Sequence, residues 1–145
     1  MPGVVVGIDQ SPHAHQALEW AVREAALRNA DLTVMSVISA QASPFTGNPL
    51  SVPDSGELTA RAQQEAEDSV AKALDGLGDS KPASVTVKAF TGYPARVLVD
   101  ASKDADLVVV GSRGTGGFAE LVLGSVSSQV AHHAACPVVI VPSRR

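Results

Sequence analysis

Hydrophobic positions in the chain form short continuous runs that alternate with stretches of helical spacing. Two runs, Val4–Ile8 and Leu107–Gly111, are apolar throughout, which is typical of strands buried on both faces of a sheet. A third strand is predicted around Leu32–Ile38, and a similar apolar run follows at Val138–Val141. The stretch Val85–Ala89 instead alternates apolar with polar residues, which predicts a half-exposed strand near a sheet edge.

Four helices are predicted between these strands. Apolar residues recur every three or four positions from Ala14 to about Asn29 and from Leu58 to Leu77, and Pro94 opens a short third helix. A fourth is expected around Ser125–Ala134. The stretch from about Ser39 to Gly56 is rich in proline and serine, which is typical of a flap, a binding loop or a partly disordered segment. Strict alternation of strands and helices predicts a parallel sheet covered on both faces, and such sheets bind ligands at the carboxyl ends of their strands.

Size and composition narrow the class of protein. The 145 residues, 45% apolar and 18% charged, fit a single domain spanning 1–145. A net charge of −4 and 3% aromatic residues disfavour nucleic acid as a partner, because such sites need basic patches and stacking side chains. A single cysteine, Cys136, and the lack of an apolar run of membrane-spanning length favour a cytoplasmic protein without a membrane anchor. We expect Cys136 to be a buried, unreactive thiol.

A glycine-rich segment follows the second fully apolar strand and carries the clearest chemical signal. From Gly111 it reads GSRGTGGFAELVLGSVSS. Glycines after a strand allow backbone N–H groups to converge on an anion, and Gly124-Ser125 precedes a helix start, where N–H donors are unpaired. The segment therefore predicts a phosphate site held mainly by the backbone.

Two familiar nucleotide motifs are excluded. The chain lacks the Gly-x-x-x-x-Gly-Lys-[Ser/Thr] pattern of a P-loop. Gly114 to Ala119 does fit the dinucleotide fingerprint Gly-x-Gly-x-x-Ala. We discount that fit because only one further strand follows it, with no acidic residue at the tip of that strand.

The spacing of the informative glycines resembles the ATP-binding signature of the universal stress protein family. The opening strand with Asp9 and Ser11, and the closing stretch Cys136–Val141, are also similar to that family, and the resemblance covers essentially the whole chain. One departure is Ser36, which stands in the second strand where many members carry histidine. The signature residues are Gly111-x2-Gly114-x9-Gly124-Ser125.

The resemblance implies an α/β fold with an open parallel five-stranded sheet in the order 3-2-1-4-5. Helices would cover both faces, as in Rossmann-like proteins of the adenine nucleotide alpha hydrolase type. It also implies ATP as the bound nucleotide and a homodimer formed through Val138–Val141. Mg²⁺ carried by the nucleotide fits the chain as well, since this ion needs few protein ligands. Adenine would lie near Ile8, Asp9, Gln10, Ser11 and Val37. Ribose and phosphates would lie near Gly111, Gly114, Gly124, Ser125, Val126 and Ser127.

Several roles stay open at the level of sequence. Asp9 can cap the first helix or contact the nucleotide, and Arg113, the one cation of the glycine turn, can bind phosphate or face solvent or a dimer partner. The glycines can also be purely structural. His13 and His15 are two residues apart and diverge on a helix, so no protein-bound metal site is predicted.

The main functional hypothesis is a nucleotide-binding regulatory protein of the stress response. No catalytic residue set is predicted, because only Asp9 and Arg113 could position water or stabilise developing charge. Slow or absent ATP hydrolysis is therefore expected. A weak ATPase or phosphotransferase, and a ligand-independent dimeric scaffold, are the alternatives.

Overall fold

A computed structural model of the protein describes residues 3–9, 14–39, 55–112 and 124–143. Its elements alternate strictly between strand and helix, as the hydrophobic pattern predicts. The strands are β1 (Val4–Ile8), β2 (Asp31–Ser39), β3 (Ser84–Gly92), β4 (Leu107–Gly111) and β5 (Val138–Val141). The helices are α1 (Ala14–Arg28), α2 (Ser55–Asp75), α3 (Pro94–Ser102) and α4 (Ser125–His133).

The five strands form one parallel sheet in the order β3-β2-β1-β4-β5. The order expected from the family resemblance is therefore confirmed. It places β1 and β4, which both contain the sequence Val-Val-Val-Gly, side by side. β1 lies between β2 and β4, with Val6 opposite Val34 on one side and Val109 on the other. The carboxyl ends of these three strands thus meet at the middle of one edge of the sheet.

Two helices cover each face of the sheet. The α1–α2 side is packed mainly with alanine, valine and leucine, and five residues of α1 are buried there, namely Ala17, Leu18, Ala21, Val22 and Ala25. The α3–α4 side is smaller and is built around Val5, Leu98, Val108, Val110 and Val130.

Gly7 permits close packing on the α3–α4 side. A Cβ atom at this position would lie 2.6 Å from Cδ1 of Leu98, far inside van der Waals contact. The absence of a side chain on β1 therefore lets α3 rest directly on the strand.

The strand bounds refine the sequence-based ones. β2 is one residue longer at each end than predicted, because Asp31 and Ser39 pair in register with Ser84 and Gly92 of β3. β3 is an edge strand, as its alternating pattern predicts, and its residues are exposed or half-buried throughout. Within the described ranges, no helix is long and apolar enough to cross a membrane.

Candidate functional site

The described base-binding residues lie at the end of β1 and near the end of β2. Ile8 pairs with Ser36, so Val37 is one residue beyond that pair on β2 and Asp9 is one residue beyond it on β1. Val37 is 5% exposed, which leaves little of its side chain available to a ligand. Ile8 and Asp9 are half-buried, and Asp9 is engaged in an interaction within the protein.

The phosphate-type segment begins one strand away. Val6 pairs with Val109, so the same register continued by two residues sets Ile8 level with Gly111. Neighbouring strands are about 4.8 Å apart, and Val37 and Gly111 are therefore about 10 Å apart across β1. This span places both parts of the predicted site along one edge of the sheet.

Ser112 fastens the start of α4 to the end of β4. The Gly124 N–H donates to the Ser112 carbonyl at 2.6 Å, and the Ser112 N–H donates to the carbonyl of Val141 at 2.9 Å. The Ser112 hydroxyl accepts from the N–H of Ser143 at 3.3 Å. Two strand ends and one helix start are thus tied together at a residue that is 8% exposed. The Gly124 N–H is used within the protein, and so it is not offered to a ligand in this arrangement.

The N-terminus of α4 carries hydrogen-bond donors that are unpaired within the described ranges. Gly124 is the N-cap, with no side-chain cap, and its carbonyl accepts the first helical bond from the Ser128 N–H at 3.0 Å. The N–H groups of Ser125, Val126 and Ser127 precede that bond, and none has an acceptor in the part of the chain that is described. We call these three groups the α4 donor set. Such groups, with the positive end of the helix dipole, form a binding site for anions.

The serine hydroxyls of this helix start differ in their surroundings. Ser127 is 2% exposed, and its hydroxyl is within hydrogen-bond distance of the Gly124 carbonyl, at 3.1 Å, and of the Ser112 carbonyl, at 3.3 Å. That hydroxyl therefore supports the turn. Ser125 is exposed and Val126 is half-buried.

Some predicted site residues lie outside the described ranges, namely Gln10, Ser11, Arg113 and Gly114. Sequence reasoning did not identify Ser112 as a residue that organises the site. A serine directly after a fully buried strand was the available signal, because such a side chain has to find a partner as it leaves the core. No cluster of three or more His, Cys, Asp or Glu side chains suited to a metal ion occurs among the described residues.

Comparison with known proteins identifies the family. Residues 2–142 match the model of the universal stress protein family. The chain belongs to this family. A universal stress protein of Mycolicibacterium smegmatis is 39% identical over 142 residues, which are 96% of this chain and 47% of the relative. The chain thus spans about half the length of the curated relatives that it matches.

Solved structures of universal stress proteins share the fold. UspA from Lactobacillus plantarum is 26% identical and superposes with a TM-score of 0.75, covering 97% of each chain. A universal stress protein solved in complex with cAMP is 28% identical, with a TM-score of 0.68, and covers 99% of this chain and 98% of its own. These likenesses confirm the Rossmann-like α/β architecture.

Proposed function

We propose that this chain binds an adenine nucleotide, ATP first, along the carboxyl edge of β2, β1 and β4. The α4 donor set carries the proposal, because three N–H groups without acceptors among the described residues favour an anionic ligand at that point. The base would lie at Ile8, Asp9 and Val37, and the ribose near Gly111. A family member bound to cAMP supports an adenine nucleotide as the ligand class.

The described part of the site would hold phosphate with neutral donors. None of the described residues assigned to it is a lysine or arginine, so the charge of the phosphates would be met by backbone N–H groups and the helix dipole. Mg²⁺ could accompany ATP, since this ion needs few protein ligands and takes the rest from phosphate and water. Arg113 and Gly114 would complete the phosphate side.

Binding, rather than turnover, would be the activity of the domain formed by residues 1–145. The nucleotide would act as a regulatory ligand in the stress response of a cytoplasmic protein. We further propose a homodimer through β5. Its four residues are all half-buried, and it is an edge strand with β4 as its neighbour in the sheet. An apolar edge strand favours a covering partner. Sedimentation of the purified protein tests this proposal, and a monomer at all concentrations would contradict it.

The substitution Ser125→Pro tests the α4 donor set directly. Proline at the first helical position removes one N–H while suiting the helix, and Gly124, at φ −74° and ψ 169°, already has the extended backbone that proline requires before it. We expect ATP affinity to fall by about tenfold or more, as for loss of a hydrogen bond to a charged group, with an unchanged melting temperature. Isothermal titration calorimetry with ATP measures the effect.

Ser125→Ala is the matched control, because it removes the exposed hydroxyl and keeps the N–H. It should bind ATP as the unmodified protein does. Equal losses in the two variants would assign the contact to the side chain. Equal and undiminished binding in both variants would contradict the role of the donor set, and undetectable binding of ATP, AMP and cAMP by the unmodified protein would contradict the proposed function.

A further inference from the structure

A concavity lies on the opposite side of the sheet from α4. It opens between α1 and α2 and has a volume of about 170 Å³, well above the ~15 Å³ that a single water needs. We call it the α1–α2 cleft. Its floor is formed by buried residues, and its rim by polar ones. The floor includes Leu18, Ser36 and Ala66, and the rim includes Asp9, His15 and Glu65.

Ser36 gives this cleft an unsatisfied polar group. Side chains alternate along a strand, so Ser36 shares the α1–α2 face with Val34. Val37 is on the other face, where it and Val97 of α3 both lie within 4 Å of the position that a Cβ atom on Gly92 would take. Ser36 is 3% exposed and lines the cleft. Its hydroxyl makes no hydrogen bond within the described parts of the chain. A buried hydroxyl without a partner is unfavourable, and a ligand in the cleft would supply one.

The rim of the cleft determines the charge of a suitable ligand. Asp9 and Glu65 contribute carboxylates, which only accept hydrogen bonds when ionised, and the described lining residues include one histidine, His15, but no lysine or arginine. Glu65 is exposed on α2, and Asp9 follows the strand residue that pairs with Ser36. The cleft therefore favours a ligand that donates hydrogen bonds and carries positive charge.

The ligand is better matched by an organic cation than by a metal ion. The described residues provide no set of three or more metal-ligating side chains. Beside the carboxylates, the floor presents aliphatic surface from Leu18, Ala62 and Ala66. This combination suits a short alkyl chain next to an ammonium group.

We propose that the α1–α2 cleft binds a small organic cation, namely a protonated primary amine. The ammonium group donates to the Ser36 hydroxyl and is held by the charges of Asp9 and Glu65, while its alkyl part lies against Leu18 and Ala66. The cleft is on the opposite side of the sheet from the α4 donor set, but its lining shares Ile8 and Asp9 with the proposed base site, so the titration below is made without nucleotide.

An NMR titration of the ¹⁵N-labelled protein with n-butylammonium chloride tests the proposal. We expect saturable shifts of the amides of Ser36, Ala66 and Ser69 at constant ionic strength, while n-butanol, a neutral analogue of similar size, produces much smaller ones. Glu65→Gln should weaken binding by about twofold to fivefold, as for loss of an exposed charge pair. Ser36→Ala should weaken it by about tenfold, as for loss of a hydrogen bond to a charged group.

Glu19→Gln is the matched control, because it removes an exposed carboxylate of α1 that does not line the cleft. Its affinity should equal that of the unmodified protein. The proposal is overturned by absent or non-saturable shifts in the cleft, by equal binding of n-butanol, or by undiminished affinity in both Ser36→Ala and Glu65→Gln. Should Ser36→Ala fail to fold, the exposed position of Glu65 keeps the second variant informative.

Discussion

The carboxyl edge of the sheet differs in chemistry between its two sides. On the α3–α4 side, the unsatisfied groups are the backbone N–H donors of Ser125, Val126 and Ser127. On the α1–α2 side, the polar group without a partner among the described residues is the Ser36 hydroxyl, at the floor of a cleft whose rim includes Asp9 and Glu65. In the two proposals, one edge would therefore offer an anion site made by the backbone and a cation site made by side chains. The first depends on where a helix starts, whereas the second depends on which residues occupy the strand and helix faces.

The largest expected effect comes from placing a negative charge in the α4 donor set. In Ser125→Asp, the new carboxylate would interact with the helix start and repel phosphate. We expect ATP affinity to fall by about 100-fold while the helix gains ~0.3–1 kcal/mol of stability. Separate calorimetric titrations with ATP and with n-butylammonium measure the affinity of each site for its ligand.

Ser125→Asn is the control for size, and it should retain most of the ATP affinity. Binding of n-butylammonium should be the same in both variants if the two sides are independent. A parallel loss of both ligands in Ser125→Asp would show that the sides are coupled, and the comparison would then fail.

A smaller effect separates two buried serines, one on each side of the sheet. Ser102 is 1% exposed, donates to the Val99 carbonyl at 2.5 Å and accepts from the Ala135 N–H at 2.8 Å. Ser102→Ala leaves that N–H unpaired and should lower the free energy of unfolding by ~1–3 kcal/mol. Ser36→Ala removes a hydroxyl with no described partner and should change it by less than ~0.5 kcal/mol or raise it. Urea denaturation measures both, and equal losses would mean that the Ser36 hydroxyl is satisfied in solution.

The smallest effect concerns Cys136 on the α3–α4 side. Its thiol is half-buried, whereas the sequence predicted a fully buried one. Burial raises the pKa of the thiol, and the nearby charge of Asp106 raises it further, while a backbone hydrogen bond with Val108 lowers it. The thiolate therefore forms at higher pH than in an unfolded peptide. Alkylation by iodoacetamide should show its midpoint above that of the urea-unfolded protein, and a midpoint at or below it would contradict the burial.

The sequence predicted the elements well because their signals are local. The runs at β1 and β4 are apolar without interruption, and the structure places both strands within the bounds that those runs indicate. The strand order came from the family resemblance, because periodicity carries no information about which strands pair. Longer-range pairing also explains why β2 extends to Asp31 and Ser39, beyond its apolar run.

The site was predictable only in part. The helix start after Gly124 was expected from its glycine and serines, and α4 begins at Ser125. The roles of Ser112 and the Ser127 hydroxyl were missed, because each depends on a contact between residues that are distant in sequence. Ser36 was noted only as a departure from the family pattern, since the cleft above it is formed by α1 and α2 together.

The contact between Gly7 and Leu98 has an evolutionary consequence. Leu98 is 2% exposed and occupies the space in which a side chain at position 7 would lie. The two positions therefore share one fixed volume, although one belongs to a strand and the other to a helix 91 residues later. A lineage that enlarges residue 7 has to shrink residue 98 or displace α3 from the sheet. We expect the size of these two residues to vary inversely among related sequences.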